Sequence, residues 1–226
     1  MKKTNKYLDL EPRRGQYISI CDKRDILWMN VPKNGSTSTS RFLTNTDIGF
    51  CSKLIQYDGP WTNNGNRSGW TKDEFEKRAS KCMKLIISRN PFARIVSTWK
   101  MFNNKEDGRS KTFWSNYKRI TGNDINYLKF EDFCDNLEIF LKFEPHLQKQ
   151  VDFLFYPPDL VLRLEEINSC IKKLCKKINL TGDVSSSFSR LNSRKYLHYS
   201  NYYNDETKKI VEHIYKDDLN NFNYVF

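Results

Sequence analysis

The sequence predicts an α/β protein with a single domain, in which a mainly parallel central sheet is flanked by helices. Short apolar runs of strand length alternate with segments of helical periodicity, an order typical of parallel sheets. The chain has 226 residues, enough to bury one substantial core. It contains no repeat, low-complexity tract or convincing linker. We therefore assign residues 1–226 to one domain, with 1–24 as an N-terminal extension or edge segment.

Three segments have the continuous apolar character of strands that are buried on both faces. They cover residues 25–31 (DILWMNV), 83–89 (MKLIISR) and 160–164 (LVLRL). The first ends at a Pro/Gly turn and the second at Asn-Pro. In a parallel sheet the carboxyl ends of the strands meet at one edge, where ligands bind. We expect the turns after the first two strands at that edge.

Helical periodicity appears between and after these runs. The pattern turns helical from Ser36, and a second helix begins at Pro91, since proline suits the first helical turn. That helix places Phe92, Ile95, Val96 and Trp99 on one apolar stripe. Further helices are predicted after a capping-box pattern at Thr71 and Glu74, over 130–143, from Ile167 to Ile178 and over 205–219.

The composition indicates a polar surface over an aromatic core. Aromatic residues make up 14% of the chain, although its mean hydropathy is -0.74. No stretch approaches the roughly 20 apolar residues of a membrane helix, and the basic N-terminus lacks the apolar core of a signal peptide. We expect a soluble chain that is not exported.

The cysteine pattern gives little support to a zinc site. The chain contains six cysteines without C-x-x-C pairs or a neighbouring histidine cluster. Several occupy apolar positions of periodic segments, where cysteine behaves as a small hydrophobic residue. We interpret them as reduced structural thiols, as expected in the cytosol.

The formal net charge of +11 is open to three interpretations. It is typical of nucleic-acid-binding proteins, but the basic residues are spread along the whole chain without a recognisable nucleic-acid module. A solvated basic surface, or a site for a polyanionic small molecule or an acidic polymer, would also explain it. Charge alone does not choose among them.

The first predicted turn has the features of a phosphate-binding loop with an unusual lysine. In NVPKNGSTSTSRFL (30–43), Lys33 precedes Gly35, whereas a nucleoside-triphosphate loop places lysine after its last glycine. A strand, a tight turn and a helix together aim backbone N–H groups at an anion. Glycine allows close approach, and Ser36, Thr37 and Ser38 add hydroxyl groups. Lysine adds a mobile positive charge.

The second predicted turn adds another candidate anion site. Arg89 ends a strand, and Ser97 follows eight residues later, two turns into the next helix. This spacing can bring a guanidinium and a hydroxyl to one side of the turn, where both can hold a phosphate. Arg89 by itself would more often form a structural salt bridge. Together with the first turn, it indicates a second anion site at the same sheet edge.

The two turns resemble the nucleotide motifs of the sulfotransferases that use 3′-phosphoadenosine 5′-phosphosulfate (PAPS), in the carbohydrate-sulfotransferase-like branch called family 2. VPKNGSTS is similar to the 5′-phosphosulfate loop, and ISRNPFARIVSTW to the 3′-phosphate motif. EPHLQKQVDFLF followed by LVLRLEEI resembles a downstream H-x-x-x-Q segment before a strand. The C-terminal tail resembles the branch in its Tyr-x-x-Asp helix and F-x-Y ending. The resemblance spans residues 25 to 226.

The resemblance implies a P-loop-like sulfotransferase fold and a role for each matching residue. Lys33 would contact the 5′-phosphosulfate and stabilise the bridging oxygen as the bond to sulfur breaks. The backbone of Asn34, Gly35, Ser36, Thr37 and Ser38 would surround that group. Arg89 and Ser97 would bind the 3′-phosphate, and loop residues near Arg194 and Lys195 would close over the adenosine. The nucleotide product would be 3′-phosphoadenosine 5′-phosphate (PAP), and no metal is expected.

The general base is open. His146 matches a family histidine and is the preferred candidate. His198 and His213 are most simply structural. Between the two phosphate motifs the chain has no histidine, which leaves the acidic candidates Asp58, Asp73, Glu74 and Glu76 there, and Glu165 and Glu166 after a later strand.

Two other classes of protein compete with the sulfotransferase interpretation. A P-loop-type nucleotide kinase lacks support because the chain has no G-K-[ST] and no obvious acidic strand end to hold magnesium, since the strand in LIISRN ends in arginine instead. A basic nucleic-acid-binding protein would account for the charge but for neither turn. We therefore predict sulfuryl transfer from PAPS to a hydroxyl acceptor without nucleic acid as a partner.

The acceptor is expected to be a carbohydrate. The branch favours a sugar hydroxyl, and the basic surface would suit an acidic glycan, although a tyrosyl or small-molecule acceptor stays open. Aromatic residues in YDGPWTNNGNRSGW (57–70) and KTFWSNYKR (111–119) would stack on sugar rings or pack internally. Eukaryotic relatives are usually anchored in the Golgi. The sequence shows no anchor, so we expect a cytoplasmic microbial or viral enzyme unless an N-terminal anchor has been removed. The oligomeric state is open.

Overall fold

The computed structural model describes residues 17–21, 23–44, 54–56, 71–180 and 197–226. These residues form two compact units. The first contains the sheet and is built from residues up to Ser88 and from Asp152 to Ser193. The second is helical and is built from Arg89–Val151 and Arg194–Phe226. The assignment of the whole chain to one domain stays a prediction.

The first unit contains a five-stranded sheet with the order β3-β1-β2-β4-β5. Its strands are β1 (Ile18–Cys21), β2 (Ile26–Met29), β3 (Leu54–Gln56), β4 (Met83–Ser88) and β5 (Leu160–Arg163). The three predicted strands are β2, β4 and β5, which are parallel, with Trp28 opposite Leu85 and Ser88 opposite Arg163. The predicted α/β class is confirmed, and the three parallel strands form one side of the sheet, with β5 at its edge.

The antiparallel part of the sheet was not predicted. Strand β1 lies between β3 and β2 and is antiparallel to both. Residues 18–21, assigned from the sequence to an extension or edge segment, instead form an inner strand. All four of its residues are buried, but a run of four is too short to be distinguished from other apolar fragments.

Helices α1 (Ser36–Leu43), α2 (Lys72–Ala79) and α7 (Ile167–Lys177) also belong to the first unit. Helix α2 begins with the predicted capping box, in which the side chains of Thr71 and Glu74 each bond the other residue's backbone N–H. Phe42 of α1 and Ile171 of α7 pack in one core with Trp28 and Ile87 of the sheet. The sheet is therefore held by apolar helix faces, as the periodicity indicated.

The second unit is a bundle of six helices with an aromatic core. They are α3 (Pro91–Phe102), α4 (Gly108–Thr121), α5 (Phe130–Asp135), α6 (Leu137–Leu141), α8 (Asp205–Ile214) and α9 (Lys216–Phe222). The Phe102 and Phe113 rings stack with centroids 3.9 Å apart. The predicted helices over 130–143 and 205–219 are each broken, at Asn136 and Tyr215. Tyr215 is fully buried and its hydroxyl donates to the Leu147 carbonyl.

Candidate active site

The loop between β2 and α1 turns sharply through two left-handed residues. Lys33 has φ 70° and Gly35 has φ 78°. Gly35 is the N-cap of α1, and no side chain of the cap position bonds the first helical turn. Backbone N–H groups at such a helix start attract anions. The strand, turn and helix predicted from the sequence are therefore present.

Asn34 ties this loop to the neighbouring parallel strand. Its side chain is buried, and its Nδ2 donates to the Ile87 carbonyl of β4 at 2.7 Å. Its backbone N–H donates to the Val31 carbonyl at 3.2 Å. The loop is thus fixed at the carboxyl end of β4, where ligands of parallel sheets bind.

Gly35 cannot be replaced without strain. A Cβ atom at this position would lie 2.9 Å from Cδ1 of Leu164, which follows β5. The left-handed backbone adds a second cost for any residue with a side chain. The loop therefore requires glycine for its conformation and for its close approach to the residue after β5.

The three hydroxyl residues of the first helical turn are placed differently. The Ser36 hydroxyl donates to the Val31 carbonyl at 3.2 Å. Thr37 is exposed, whereas Ser38 is buried. Lys33 is half-buried. Of the three hydroxyls, that of Thr37 is the most accessible to a ligand.

In the second unit, Arg89 is held by its backbone. Its N–H donates to Oε1 of Gln150 at 2.9 Å, and its carbonyl accepts from Nε2 of the same residue at 2.8 Å. Gln150 is fully buried. This reciprocal pair fixes the peptide groups at Arg89, whose side chain is half-buried.

A buried carboxylate supports Gln150 in turn. Asp218 of α9 accepts from the backbone N–H groups of Gln150 and Val151, at 2.8 and 3.0 Å. Burial raises the pKa of Asp218, and the nearby Arg94 opposes that shift. The H-x-x-x-Q segment and the Tyr-x-x-Asp helix are both part of the family resemblance, but that resemblance assigned no role to Gln150 or Asp218. The two patterns meet here to position Arg89.

The two arginines of ISRNPFARIVSTW differ in their surroundings. Arg94 is fully buried, and one guanidinium nitrogen donates to the Gln148 carbonyl at 2.8 Å. Asn90 caps α3 by accepting from the Phe92 N–H. Arg94 is therefore a structural residue, and Arg89 is the arginine of this motif with an accessible side chain.

Ser97 lies on the less buried face of α3. Ala93, Ser97 and Lys100 follow the helical repeat and are each partly exposed, whereas Ile95 and Val96 face the core. Arg89 lies two residues before α3 begins, and its placement beside Ser97 stays a prediction. The binding roles of Arg89 and Ser97 stay predictions.

His146 is paired with a buried carboxylate. Nδ1 of His146 lies 2.5 Å from Oε1 of Glu144, which also accepts from the His146 backbone N–H at 3.0 Å. Glu144 is buried, whereas the His146 side chain is 25% exposed. Among the described residues nothing hydrogen-bonds its Nε2. A carboxylate that holds Nδ1 directs Nε2 outward to accept a proton. The sequence analysis missed Glu144.

The other candidate bases have structural surroundings. His198 caps a short 3₁₀ turn through Ser200, and His213 is exposed on α8. The pKa of Glu74 is lowered chiefly by the backbone N–H of Thr71, within the capping box. Glu165 and Glu166 are exposed after β5. Whether Asp73, Glu165 or Glu166 acts as the general base stays a prediction.

Several predicted residues lie outside the described ranges or do not face solvent. Arg194, Lys195, Asp58 and the segment 57–70 lie outside them. In the segment 111–119, Phe113, Trp114 and Tyr117 are buried in the core of the second unit. Packing, and not sugar stacking, explains these aromatics, because helix α4 turns all three toward the core.

Across the described ranges, we find neither a group of three or more His, Cys, Asp or Glu residues able to hold a metal nor a helix long and apolar enough to cross a membrane. The five described cysteines are buried and free of disulfides. Cys51 lies outside the described residues.

Comparison with known proteins identifies the class. The model of the sulfotransferase family matches residues 16–225, which is nearly the whole chain. The chain therefore belongs to the sulfotransferase family, as the resemblance of its two turns predicted. The family is one of transferases. Neither rival class receives support from the comparisons.

The curated relatives are carbohydrate sulfotransferases. The chain is 30% identical over 88 residues to carbohydrate sulfotransferase 10 of Homo sapiens, and equally to those of Gallus gallus and Mus musculus. The match covers 37% of this chain and only 25% of each relative. No solved structure matches the chain.

These relatives correct the predicted localisation. We expected a cytoplasmic microbial or viral enzyme, but the matched relatives are animal carbohydrate sulfotransferases. The family resemblance implies that eukaryotic relatives of this kind are usually anchored in the Golgi. The predicted cytoplasmic localisation is wrong. It relied on the absence of an apolar segment, and such an absence does not indicate the compartment in which a protein acts.

Proposed function

We infer that this protein transfers a sulfuryl group from PAPS to a hydroxyl of a carbohydrate. The observation that carries the proposal is the glycine loop held between β2 and α1 at the carboxyl end of the parallel strands, in a chain that belongs to the sulfotransferase family. The relatives' name supports a carbohydrate acceptor. A tyrosyl or small-molecule acceptor is the alternative that the acceptor screen below would reveal.

The loop fits a phosphosulfate group. Its helix start carries no side-chain cap that would compete with an anion for the first-turn N–H groups, and the left-handed Gly35 sets the turn that leads into that helix. When bound, PAPS supplies the activated sulfuryl group. Lys33 would stabilise charge on the bridging oxygen, while the backbone of 34–38 and the Thr37 hydroxyl would hold the 5′ end.

Arg89 and Ser97 would recognise the 3′-phosphate. A guanidinium can bind phosphate through two parallel hydrogen bonds, which favours it over a point charge. The clamp by Gln150 supports this role because it fixes the backbone from which the guanidinium extends. Arg194 and Lys195 are proposed contacts of the adenosine on the resemblance alone.

His146 would take the proton of the acceptor hydroxyl. Glu144 orients the imidazole through Nδ1, which leaves Nε2 to act as the base and stabilises the imidazolium that forms. Sulfuryl transfer resembles phosphoryl transfer in relying on position and charge. No metal is included in the proposal.

The test is calorimetric titration of PAP, with ADP and ATP as controls. We expect micromolar binding of PAP, weak binding of ADP and a loss of at least about tenfold in Lys33→Ala and in Arg89→Ala. Lys111→Ala and Arg119→Ala are the matched controls, because both side chains are exposed on α4. Equal affinities for ATP and PAP, or unchanged PAP binding in Arg89→Ala, would contradict the proposal.

The acceptor is then tested separately. The wild-type protein is incubated with PAPS and neutral carbohydrates, acidic carbohydrates, a tyrosyl peptide or a phenol, and sulfate gain is measured by mass spectrometry. Transfer to a carbohydrate supports the proposed acceptor. Transfer only to the peptide or the phenol would retain the PAPS-dependent activity and reject the carbohydrate.

A further inference from the structure

A basic cleft lies in the first unit at the end of the sheet opposite to the candidate loop. Its volume is about 730 Å³, and its basic lining residues are Lys23, Arg24, Lys81, Lys84 and Lys177. We call this feature the basic cleft. Its residues immediately precede β2 and β4 or end α7, so it is distinct from the loop that follows β2.

The position of the cleft follows from the parallel strands. Asp25, Cys82 and Asp159 lie one residue before β2, β4 and β5, and all three line the cleft. The amino ends of parallel strands share one edge of a sheet. The six residues of β4, at about 3.3 Å each, separate this edge from the candidate loop by about 20 Å.

The two carboxylates of the cleft are already occupied. Asp25 is paired with Arg78 at 2.8 Å, and Oδ2 of Asp159 accepts from the backbone N–H of Lys84 at 2.7 Å. Nζ of Lys84 donates to the Ser80 carbonyl at 3.4 Å, and Nζ of Lys177 donates to the Asp159 carbonyl at 3.2 Å. These carbonyl contacts leave the positive charge of both ammonium groups uncompensated.

Lys23 and Lys81 are the most available charges. Both are exposed, and neither ammonium has a carboxylate partner among the residues that the structure describes. With five basic groups against two occupied carboxylates, the cleft would attract a ligand bearing several negative charges. An isolated small anion would not use charges spread over so large an opening.

The lining chemistry disfavours a single-stranded nucleic acid. The uncharged residues that line the described cleft are Ile26, Cys82, Met83 and Ile178, without an aromatic side chain. Single-stranded nucleic acids are held by aromatic stacking as well as by charge. The lining instead suits sulfate and carboxylate groups on a sugar chain, while the apolar wall supports the lysine stems.

We propose that the basic cleft binds an acidic polysaccharide, one bearing sulfate or carboxylate groups, at a distance from the site of sulfuryl transfer. The choice of a glycan rests on the proposed function. The cleft would hold a chain near the protein while another part of it, or another chain, reacts. Binding there requires neither PAPS nor the loop that contains Lys33.

The experiment measures binding of a fluorescent heparin octasaccharide by anisotropy at about 0.1 M salt. Lys23→Glu/Lys81→Glu reverses the two available charges. Lys111→Glu/Lys142→Glu makes the same change in net charge at exposed positions of the second unit. We expect the cleft variant to lose at least about tenfold in affinity and to show a weaker dependence on salt, while the control changes little.

Three results would overturn the proposal. Equal losses in both variants would mean that net charge alone attracts the polymer. No binding of the octasaccharide by the wild-type protein would exclude the site. Tighter binding of a DNA duplex, with the same loss in the cleft variant, would assign the cleft to nucleic acid.

PAP titration of the same proteins separates this proposal from the proposed function. Both variants should bind PAP like the wild type, because the cleft lies about 20 Å from the candidate loop. Loss of octasaccharide binding with retained PAP binding supports the cleft. Failure of the wild type to bind PAP would reject the proposed function, even where the octasaccharide binds. Circular dichroism of both variants checks that they fold.

Discussion

The side chain of Gln150 holds the backbone of Arg89 on both sides, with one hydrogen bond at 2.9 Å and one at 2.8 Å. The two residues are 61 positions apart in the chain. Because Gln150 is fully buried, solvent does not compete for either bond. An amide clamp of this kind limits the directions in which the Arg89 side chain can extend.

Replacing Gln150 should therefore weaken phosphate recognition as well as stability. We expect Gln150→Ala to lower the free energy of unfolding by about 2–4 kcal/mol, since the partly buried N–H and carbonyl of Arg89 both lose their partners. The affinity for PAP should fall more than the affinity for ADP. Titration with both nucleotides measures this ratio, which a purely structural role would leave unchanged.

Gln148→Ala is the matched control. Gln148 is partly exposed, and the contact that it makes with Arg94 uses its backbone carbonyl, which alanine retains. This variant should resemble the wild type in stability and in nucleotide preference. If Gln150→Ala keeps the wild-type ratio of PAP to ADP affinity, the clamp has no part in positioning Arg89.

Gly35→Ala should disrupt the candidate loop. Left-handed backbone costs alanine about 1–2 kcal/mol, and its Cβ would press on Leu164 at 2.9 Å. We expect lower stability in urea and a loss of PAP binding. Gly108→Ala is the control, because a Cβ there meets nothing within 4 Å and alanine favours the helix by up to about 1 kcal/mol. If Gly35→Ala and Gly108→Ala have the same stability in urea and the same affinity for PAP, the loop around Gly35 does not bind the nucleotide.

His146 and Glu144 are tested by separating turnover from binding. His146→Asn should lower kcat by about 10²–10⁴-fold, the usual contribution of a general base, while the Kd for PAP stays unchanged. Glu144→Gln should cause a smaller loss, because the imidazole remains but is less firmly oriented. His213→Asn, at an exposed position of α8, is the control. Normal turnover in His146→Asn would move the search to Glu165 and Glu166.

The described thiols should react slowly in the folded protein. Burial raises the pKa of Cys82, Cys134 and Cys175, so at neutral pH the reactive thiolate is scarcer than in the unfolded chain. In a Cys51→Ser variant, we expect 5,5′-dithiobis(2-nitrobenzoate) to react slowly without denaturant and with five thiols in urea. Rapid reaction without urea would show that one of these sites opens locally.

Local patterns in the sequence were sufficient for the elements that depend on neighbours in the chain. The capping box at Thr71 and the proline at the start of α3 form where they were predicted, because each involves residues at most three positions apart. The strand, turn and helix around Gly35 are local in the same way. Long periodic segments were less secure, since Asn136 and Tyr215 break two predicted helices.

Burial was not predictable at the same level. The aromatics of 111–119 looked equally suited to sugar stacking and to packing, and only the fold turns Phe113, Trp114 and Tyr117 inward. Likewise, Arg89 and Arg94 are both arginines of one motif. Their difference arises because Arg94 lies on the buried side of α3 and meets the carbonyl of Gln148.

The sequence by itself determined the α/β class, the family and the strand, turn and helix around Gly35, and it predicted the residues to which we assign the chemistry. The tertiary structure alone decided which hydrogen bonds fix the loop and the backbone of Arg89. Asn34 bonds Ile87, Gln150 bonds Arg89, and Asp218 bonds Gln150. These partners are 53, 61 and 68 positions apart. Spacing along a chain specifies helices, strands and caps, but hydrogen bonds between distant residues exist only once the strands have paired and the helices have packed.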